Sequence, residues 1–290
     1  MAFMGTTICR GILRNAPDAS FLEGENGQRY LEGERFWSGY LAHFAGRRVC
    51  ARRLPQKDYE TGRPMIIVWP DVPAPPEPCC ELYFNERLVK YPASFLGHLA
   101  LNVRGEIFNF SHKINENEAL RPEEYFYRPA LGEFAPHPQT FRDNTDDPQK
   151  PYYDKFGRLF MRTIHVLRIA GLDTEALARY YHQELDLIHA APSDPKRPDA
   201  YADFNLFTRS CSTIIRDGLR AAGYPKISGI FPRDLFVNAA YFFLTQPPAS
   251  GIRVARLTLR QLCVPEAAPS AMPPLLNPVN RCRQRRLPPA

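Results

Sequence analysis

Two stretches carry residue types whose spacing can support nucleophilic chemistry. The first is Phe204-Asn205-Leu206-Phe207-Thr208-Arg209-Ser210-Cys211-Ser212-Thr213-Ile214-Ile215-Arg216-Asp217-Gly218-Leu219. It reads as a polar lead-in followed by a helix. Ser210 or Thr208 can cap the start, Ile214, Ile215 and Leu219 form an apolar face at helical spacing, and Gly223 is a stop signal. Cys211 then falls in or near the first turn. There the open N–H groups and the positive end of the helix dipole favour a thiolate, with Arg209 and Arg216 adding positive charge. The same N–H groups can hold an oxyanion. The alternative is a buried structural cysteine.

The second stretch runs from Phe95 to His112: Phe-Leu-Gly-His-Leu-Ala-Leu-Asn-Val-Arg-Gly-Glu-Ile-Phe-Asn-Phe-Ser-His. Two apolar runs flank Arg104-Gly105, which predicts a two-residue hairpin turn. With a tight turn, Val103 faces Glu106 and His98 faces Ser111. Alternation along the strands then gives His98, Ala100, Ile107, Asn109 and Ser111 one shared face. A histidine beside an asparagine can take a thiol proton while its tautomer is held. Asn109 is the first choice for that orienting role. Ser111 and His112 are second choices for the orienting or base role, because a register slip of one residue brings His112 round. Taken alone, His98 reads as a core histidine.

The two stretches together resemble the circularly permuted NlpC-type branch of the papain-like superfamily. In it a His strand precedes the Cys helix. The carrying residues are Gly97-His98-Leu99-Ala100-Leu101, the hairpin, and Phe-Asn-Leu-Phe-Thr-Arg-Ser-Cys ending at Cys211. The family's Cys motif usually reads Tyr-Asn-Leu-x-x-Asn-Asn-Cys. This chain keeps Asn205, Leu206 and Cys211, and carries Phe204, Arg209 and Ser210 at the other three positions. The likeness spans about residues 80 to 245. It implies a thiol hydrolase with a Cys-His-Asn site made of Cys211, His98 and Asn109, with Asn205 as a candidate oxyanion donor and no cofactor. The implied substrate is an amide bond in peptidoglycan stem peptides. The alternatives are an acyltransferase or lipid (thio)esterase acting on membrane lipids, and a catalytically dead papain-like fold used for binding.

The rest of the chain must position these groups. Its 290 residues suit one large or two modest domains. Proline is the outlier at 29 residues, which predicts many loops. The net charge of +6 favours encounter with anionic surfaces without selecting one. No apolar run approaches the ~20 residues of a membrane span. Residues 1–14 lack the pattern of a secretory leader. Seven cysteines at irregular spacing argue against a disulfide framework, and Cys79-Cys80 without a second cluster argues against a zinc site. A wall enzyme made in a bacterial cytoplasm without a leader implies a specialised secretion route to a target-cell periplasm. It also implies a secretion apparatus or an immunity protein as partner.

The expected fold class is α+β. Residues 1–76 read as a small barrel-like β domain for docking or binding. Within it, Arg47, Arg48, Arg52 and Arg53 near Trp37 and Tyr40 read as a solvated strand face plus core aromatics rather than a nucleic-acid surface. Pro70 to Pro78 reads as a stiff linker. Residues 77–248 are the expected papain-like domain, an antiparallel sheet packed on the Cys helix. Within it lie a strand pair over Glu81 to Tyr91, a long loop over Ile114 to Lys155, a strand over Phe160 to Ile169 with His165 as a further base candidate, and a helix over Asp173 to Ile188. Residues 249–290 read as a Pro/Arg-rich, largely irregular tail with one strand at Ile252 to Leu259.

Overall fold

The computed structural model describes residues 7–57, 62–73, 78–90, 94–112, 116–130, 157–194, 196–201 and 203–288. These form an α+β protein with two antiparallel sheets, a two-stranded ribbon and, among the described residues, seven α-helices. The chain divides into two compact units, residues 1–74 with 123–160, and residues 75–122 with 161–290. The return of 123–160 to the first unit is invisible in linear order. Parts of the proline-rich linker (residues 74–77) and most of the long loop, including Phe134 and Phe141, lie outside the described residues.

The first unit contains β1 (Cys9–Asn15), β2 (Ser20–Glu23), β3 (Arg29–Tyr30), α1 (Ser38–Phe44), β4 (Arg48–Lys57), β5 (Pro64–Pro70), α2 (Pro122–Tyr127) and α3 (Arg158–Met161). The sheet order is β3-β2-β1-β4-β5. Among the described residues β3 and β5 do not pair, so the sheet is open where the strand count predicts a barrel. Glu25-Asn26-Gly27 makes the expected turn, with Gly27 at φ +72°. Trp37 and Tyr40 are fully buried, and their rings meet Phe160 edge-on at 4.5 and 5.9 Å. No face of either is left for a base to stack on. Three of the four arginines of the basic run are paired: Arg48 with Asp71 and Glu25, Arg53 with Glu34, and buried Arg52 with Glu123 and Glu124 of α2.

The second unit contains β6 (Cys79–Asn85), β7 (His98–Val103), β8 (Glu106–Asn109), β9 (Glu118–Leu120), β10 (Ile164–Ala170), α4 (Thr174–Ala190), β11 (Ser193–Asp194), β12 (Arg197–Tyr201), α5 (Cys211–Ala221), α6 (Pro232–Leu244), β13 (Arg253–Leu259) and α7 (Pro278–Arg286). Six strands form one sheet in the order β13-β10-β6-β7-β8-β9. The expected strand pair over Glu81 to Tyr91 is one strand, β6, followed by a bridge from Arg87 to Ala271.

Alternation sorts the faces of this sheet. Cys80, Leu82, Phe84, Leu99, Leu101, Val103, Phe108, Leu167 and Ile169 join the apolar sides of α4, α5 and α6 in one core. The opposite face carries Glu81, Tyr83 and Asn102. There the Tyr83 hydroxyl and the Asn102 amide both donate to Glu81, whose other oxygen accepts from Arg168 at 2.7 Å.

Residues 249–290 are more ordered than their composition predicts. β13 completes the sheet edge against β10, and α7 packs on α6. The reason is a buried acid: Asp234 accepts from the backbone N–H of Leu276 and Asn277 and from the Asn280 side chain. These bonds, with Asn277 capping Val279, fix the start of α7.

Candidate active site

Cys211 is the first residue of α5, and the helix begins there for a local reason. The Ser210 side chain accepts from the Thr213 backbone, and the Thr213 hydroxyl accepts from the Ser210 N–H at 2.7 Å. This capping box pins the first turn. The helix body is pinned against α4. A Cβ at Gly218 would lie 2.5 Å from the Tyr181 ring, and the Tyr181 hydroxyl donates to the Ile215 carbonyl at 2.9 Å. Only glycine allows this approach.

The lead-in is a closed turn. Asn205 and Arg209 exchange backbone hydrogen bonds, and Asn205 Oδ1 accepts from the N–H groups of Phe207 and Thr208. The Asn205 side chain thus serves the turn, on an exposed loop, rather than standing beside the thiol.

The hairpin carrying the histidine has the expected register, with Val103 opposite Glu106 and Ala100 opposite Asn109. Both turn residues, Arg104 and Gly105, have positive φ, as a two-residue turn matched to strand twist requires. His98 opens β7 and Asn109 closes β8. Their side chains meet, His98 Nε2 to Asn109 Oδ1, at 2.8 Å. The orientation of the Asn109 amide is set by its other end, which donates to the Glu116 carbonyl at 2.6 Å. With Oδ1 turned to the ring, Nε2 is the protonated nitrogen of the neutral imidazole and Nδ1 carries the basic lone pair. Asn109 is 2% exposed, so water does not compete for this bond. Gly97 precedes His98 with φ +74°, and a Cβ there would lie 2.5 Å from the Asn85 carbonyl oxygen. Strand entry therefore depends on glycine.

By alternation His98 belongs to the sheet face opposite the one α5 covers. It opens β7, the strand against which α5 packs. Cys211 is half-buried, and its sulfur lies beside the backbone of Leu99, the residue after His98. Burial pushes the Cys211 thiol up. The N–H groups of Leu99, Ser212 and Cys211 and the Ser212 hydroxyl act in the opposite direction without overcoming it. A resting thiolate, expected from the helix N-terminus and two arginines, is thus disfavoured. The arginines are committed elsewhere: Arg209 pairs with Glu184 at 3.1 Å and Arg216 with Asp217 at 2.8 Å.

The second choices separate. Ser111 donates to Glu116 Oε2 at 2.7 Å. Without a register slip, His112 does not join the His98 face, and its ring meets Phe204 of the Cys lead-in edge-on at 5.8 Å. His165 lies between Glu86 and Thr258 and stacks on Phe84, a structural setting. Sequence reasoning missed the Glu116 carbonyl and the Leu99 N–H, because backbone groups leave no signature in side-chain identity. Among the described residues no cluster of His, Cys, Asp and Glu could hold a metal ion, and no helix is long and apolar enough to cross a membrane.

Comparison with protein-family models, with curated proteins and with solved structures finds no match to this chain.

Proposed function

We propose that the second unit is a permuted papain-like thiol hydrolase that cleaves an amide bond, with peptidoglycan stem peptides as its substrate class. The observation that carries this reading is the His98–Asn109 pair, its amide held by the Glu116 carbonyl, at the start of β7, the strand against which the Cys211 helix packs. A satisfied core histidine does not need an amide whose orientation is fixed from behind. In the proposed reaction His98 Nδ1 accepts the Cys211 proton as sulfur attacks the acyl carbon. The oxyanion forms near the N–H groups of the first turn of α5, and the imidazolium returns its proton to the leaving amine. Water then adds to the thioester, and sulfur leaves as the thiol. Because burial keeps Cys211 protonated at rest, His98 acts as a general base during attack rather than as half of a standing ion pair.

The test is release of amine-terminated fragments from purified peptidoglycan, read by mass spectrometry, in wild type and in Cys211→Ala, His98→Ala and His112→Ala. Loss in the first two and retention in the third is the expected result. Activity surviving Cys211→Ala would sink the mechanism, and loss only in His112→Ala would reassign the base. For the proposed role as an exported antibacterial effector, toxicity should appear on periplasmic expression and not on cytoplasmic expression. Equal toxicity in both compartments would count against that role.

A lipid acyl substrate is the second reading. It is favoured by the exposure of Leu206 and Phe207, two apolar side chains on the turn that leads into Cys211. Lipid profiling after expression separates it from the first.

A further inference from the structure

A cavity of about 620 Å³ opens in the second unit, lined by residues of α5, of the Ser228–Phe231 approach to α6, and of the start of α7. This lies within the range of small-molecule sites. Its walls differ in chemistry. Ile230, Phe231, Leu276 and Pro278 supply apolar surface, whereas Arg216 and Arg220 project from α5.

The charged groups here are not equivalent. Asp234 is 3% exposed and its carboxylate is consumed by the Leu276 and Asn277 N–H groups and the Asn280 amide. Arg216 lies fork-to-fork on Asp217, with Nε and Nη2 at 2.8 and 2.9 Å from the two carboxylate oxygens. Arg220 differs. Its Nε donates to the Ile227 carbonyl at 2.7 Å, which fixes the plane of the guanidinium, while Asp217 is 3.8 Å from Nη1, beyond hydrogen-bond distance. An arginine anchored by Nε presents its terminal nitrogens as a fork for a carboxylate.

Two of the apolar lining residues, Ile230 and Leu276, are solvent-facing, and Val279, next in sequence to Pro278, and Phe207 are exposed by more than half. The Phe207 ring meets Phe231, at 6.1 Å, so the Cys lead-in turn flanks one side of the cavity. The segment that supplies Leu276 passes Pro273, which approaches Gly97 just before His98.

We propose that this cavity binds a long-chain carboxylate, its head on the Arg220 fork and its chain along Ile230, Phe231 and Leu276. An anchored cation at one wall and exposed apolar residues at the other match a molecule with one anionic end and one apolar body. The site stands on its own lining and does not require catalysis at Cys211.

The experiment is calorimetric titration of the full chain with oleate below its micelle concentration. Dodecanol, a short peptide ending in D-Ala-D-Ala, and phosphatidylcholine vesicles carrying oleate serve as comparison ligands. Saturable one-to-one binding of free oleate is expected, weakened at least tenfold in Arg220→Gln, only partly recovered in Arg220→Lys, which keeps the charge but not the fork, and abolished in Leu276→Glu. Ile230→Glu replaces Leu276→Glu if circular dichroism shows the latter misfolded. Cys211→Ala and Arg179→Gln, an exposed arginine on α4, should bind as wild type does. Absence of saturable binding, indifference to both Arg220→Gln and the apolar-wall variant, or dodecanol binding as tightly as oleate would overturn the proposal. Tighter binding of the peptide, or binding to vesicles alone, would equally overturn it.

Discussion

Replacing Asn109 by alanine removes two hydrogen bonds at once, from an environment that water does not reach. The lost bonds are His98 Nε2 to Asn109 Oδ1 at 2.8 Å and Asn109 Nδ2 to the Glu116 carbonyl at 2.6 Å. Each contributes about 1 kcal/mol net, and a carbonyl left buried without a partner costs about 1–3 kcal/mol more. The expected loss is about 3–5 kcal/mol, which in a unit of this size lowers Tm by roughly 6–20 °C. Thermal denaturation measures it. Asn109→Asp is the informative partner, because it keeps an acceptor for the imidazole but sets a carboxylate oxygen against the Glu116 carbonyl. Below the carboxyl pKa the protonated Asp donates to that carbonyl, so this variant should approach wild-type stability at low pH and fall away above it. Nitrogen NMR of the histidine ring gives a second readout. The Nε2–H tautomer of His98 should persist in Asn109→Asp and lose its preference in Asn109→Ala. An alanine variant melting within about 1 °C of wild type would mean that these two bonds do not hold the His98 ring. So would an unchanged tautomer.

Gly97→Ala should destabilise by more than the ~1–2 kcal/mol of a left-handed alanine, since its Cβ also meets the Asn85 carbonyl at 2.5 Å, and it should slow Cys211 alkylation by displacing His98. Equal melting and alkylation would contradict the strand entry described. Gly218→Ala should cost about 1–3 kcal/mol by overpacking against Tyr181, and combining it with Tyr181→Ala should cost less than the two added. Strict additivity in denaturant titrations would mean that α4 and α5 do not meet there. Burial raises the Cys211 thiol, so its iodoacetamide rate should climb with an inflection above the ~8.5 of a free cysteine, and an inflection below that value would count against the buried thiol. The folded state therefore holds this proton to higher pH than the unfolded chain. The stability it contributes is complete below ~8.5 and is lost as pH rises through the folded value, a decline that Cys211→Ala should remove.

The hairpin and the two helices around Cys211 were legible because local chemistry decides them. Arg104-Gly105 between apolar runs permits little besides a tight turn, and Ser210 ahead of Ile214, Ile215 and Leu219 at helical spacing marks a helix start. The open sheet of the first unit was not legible, since whether β3 and β5 pair depends on contacts between distant residues. The order near the C-terminus was hidden for a similar reason. Arg281, Arg283, Arg285 and Arg286 look like a solvated tail until Asp234, far back in sequence, is seen to hold the Leu276–Asn280 segment. The His98–Asn109 contact could be read from strand alternation. The Glu116 carbonyl that makes it directional could not.

The position of Cys211 sets two effects against each other, and their relative size bears on how the proposed reaction must proceed. A helix N-terminus favours negative charge by about 0.3–1 kcal/mol when exposed and up to about 2 when partly buried. Burial of a charged group shifts a pKa by as much as 3–5 units, each worth about 1.4 kcal/mol. At Cys211 burial wins, even with the Leu99 N–H added to the donors of the first turn. Arg209 and Arg216 do not change the balance, because Glu184 and Asp217 already face them. A sulfur in this setting becomes nucleophilic only when a base removes its proton as attack proceeds, so a histidine held in one tautomer has more to contribute here than beside a preformed thiolate. That is the physical case for reading the Asn109–Glu116 support as part of the reaction machinery rather than as packing.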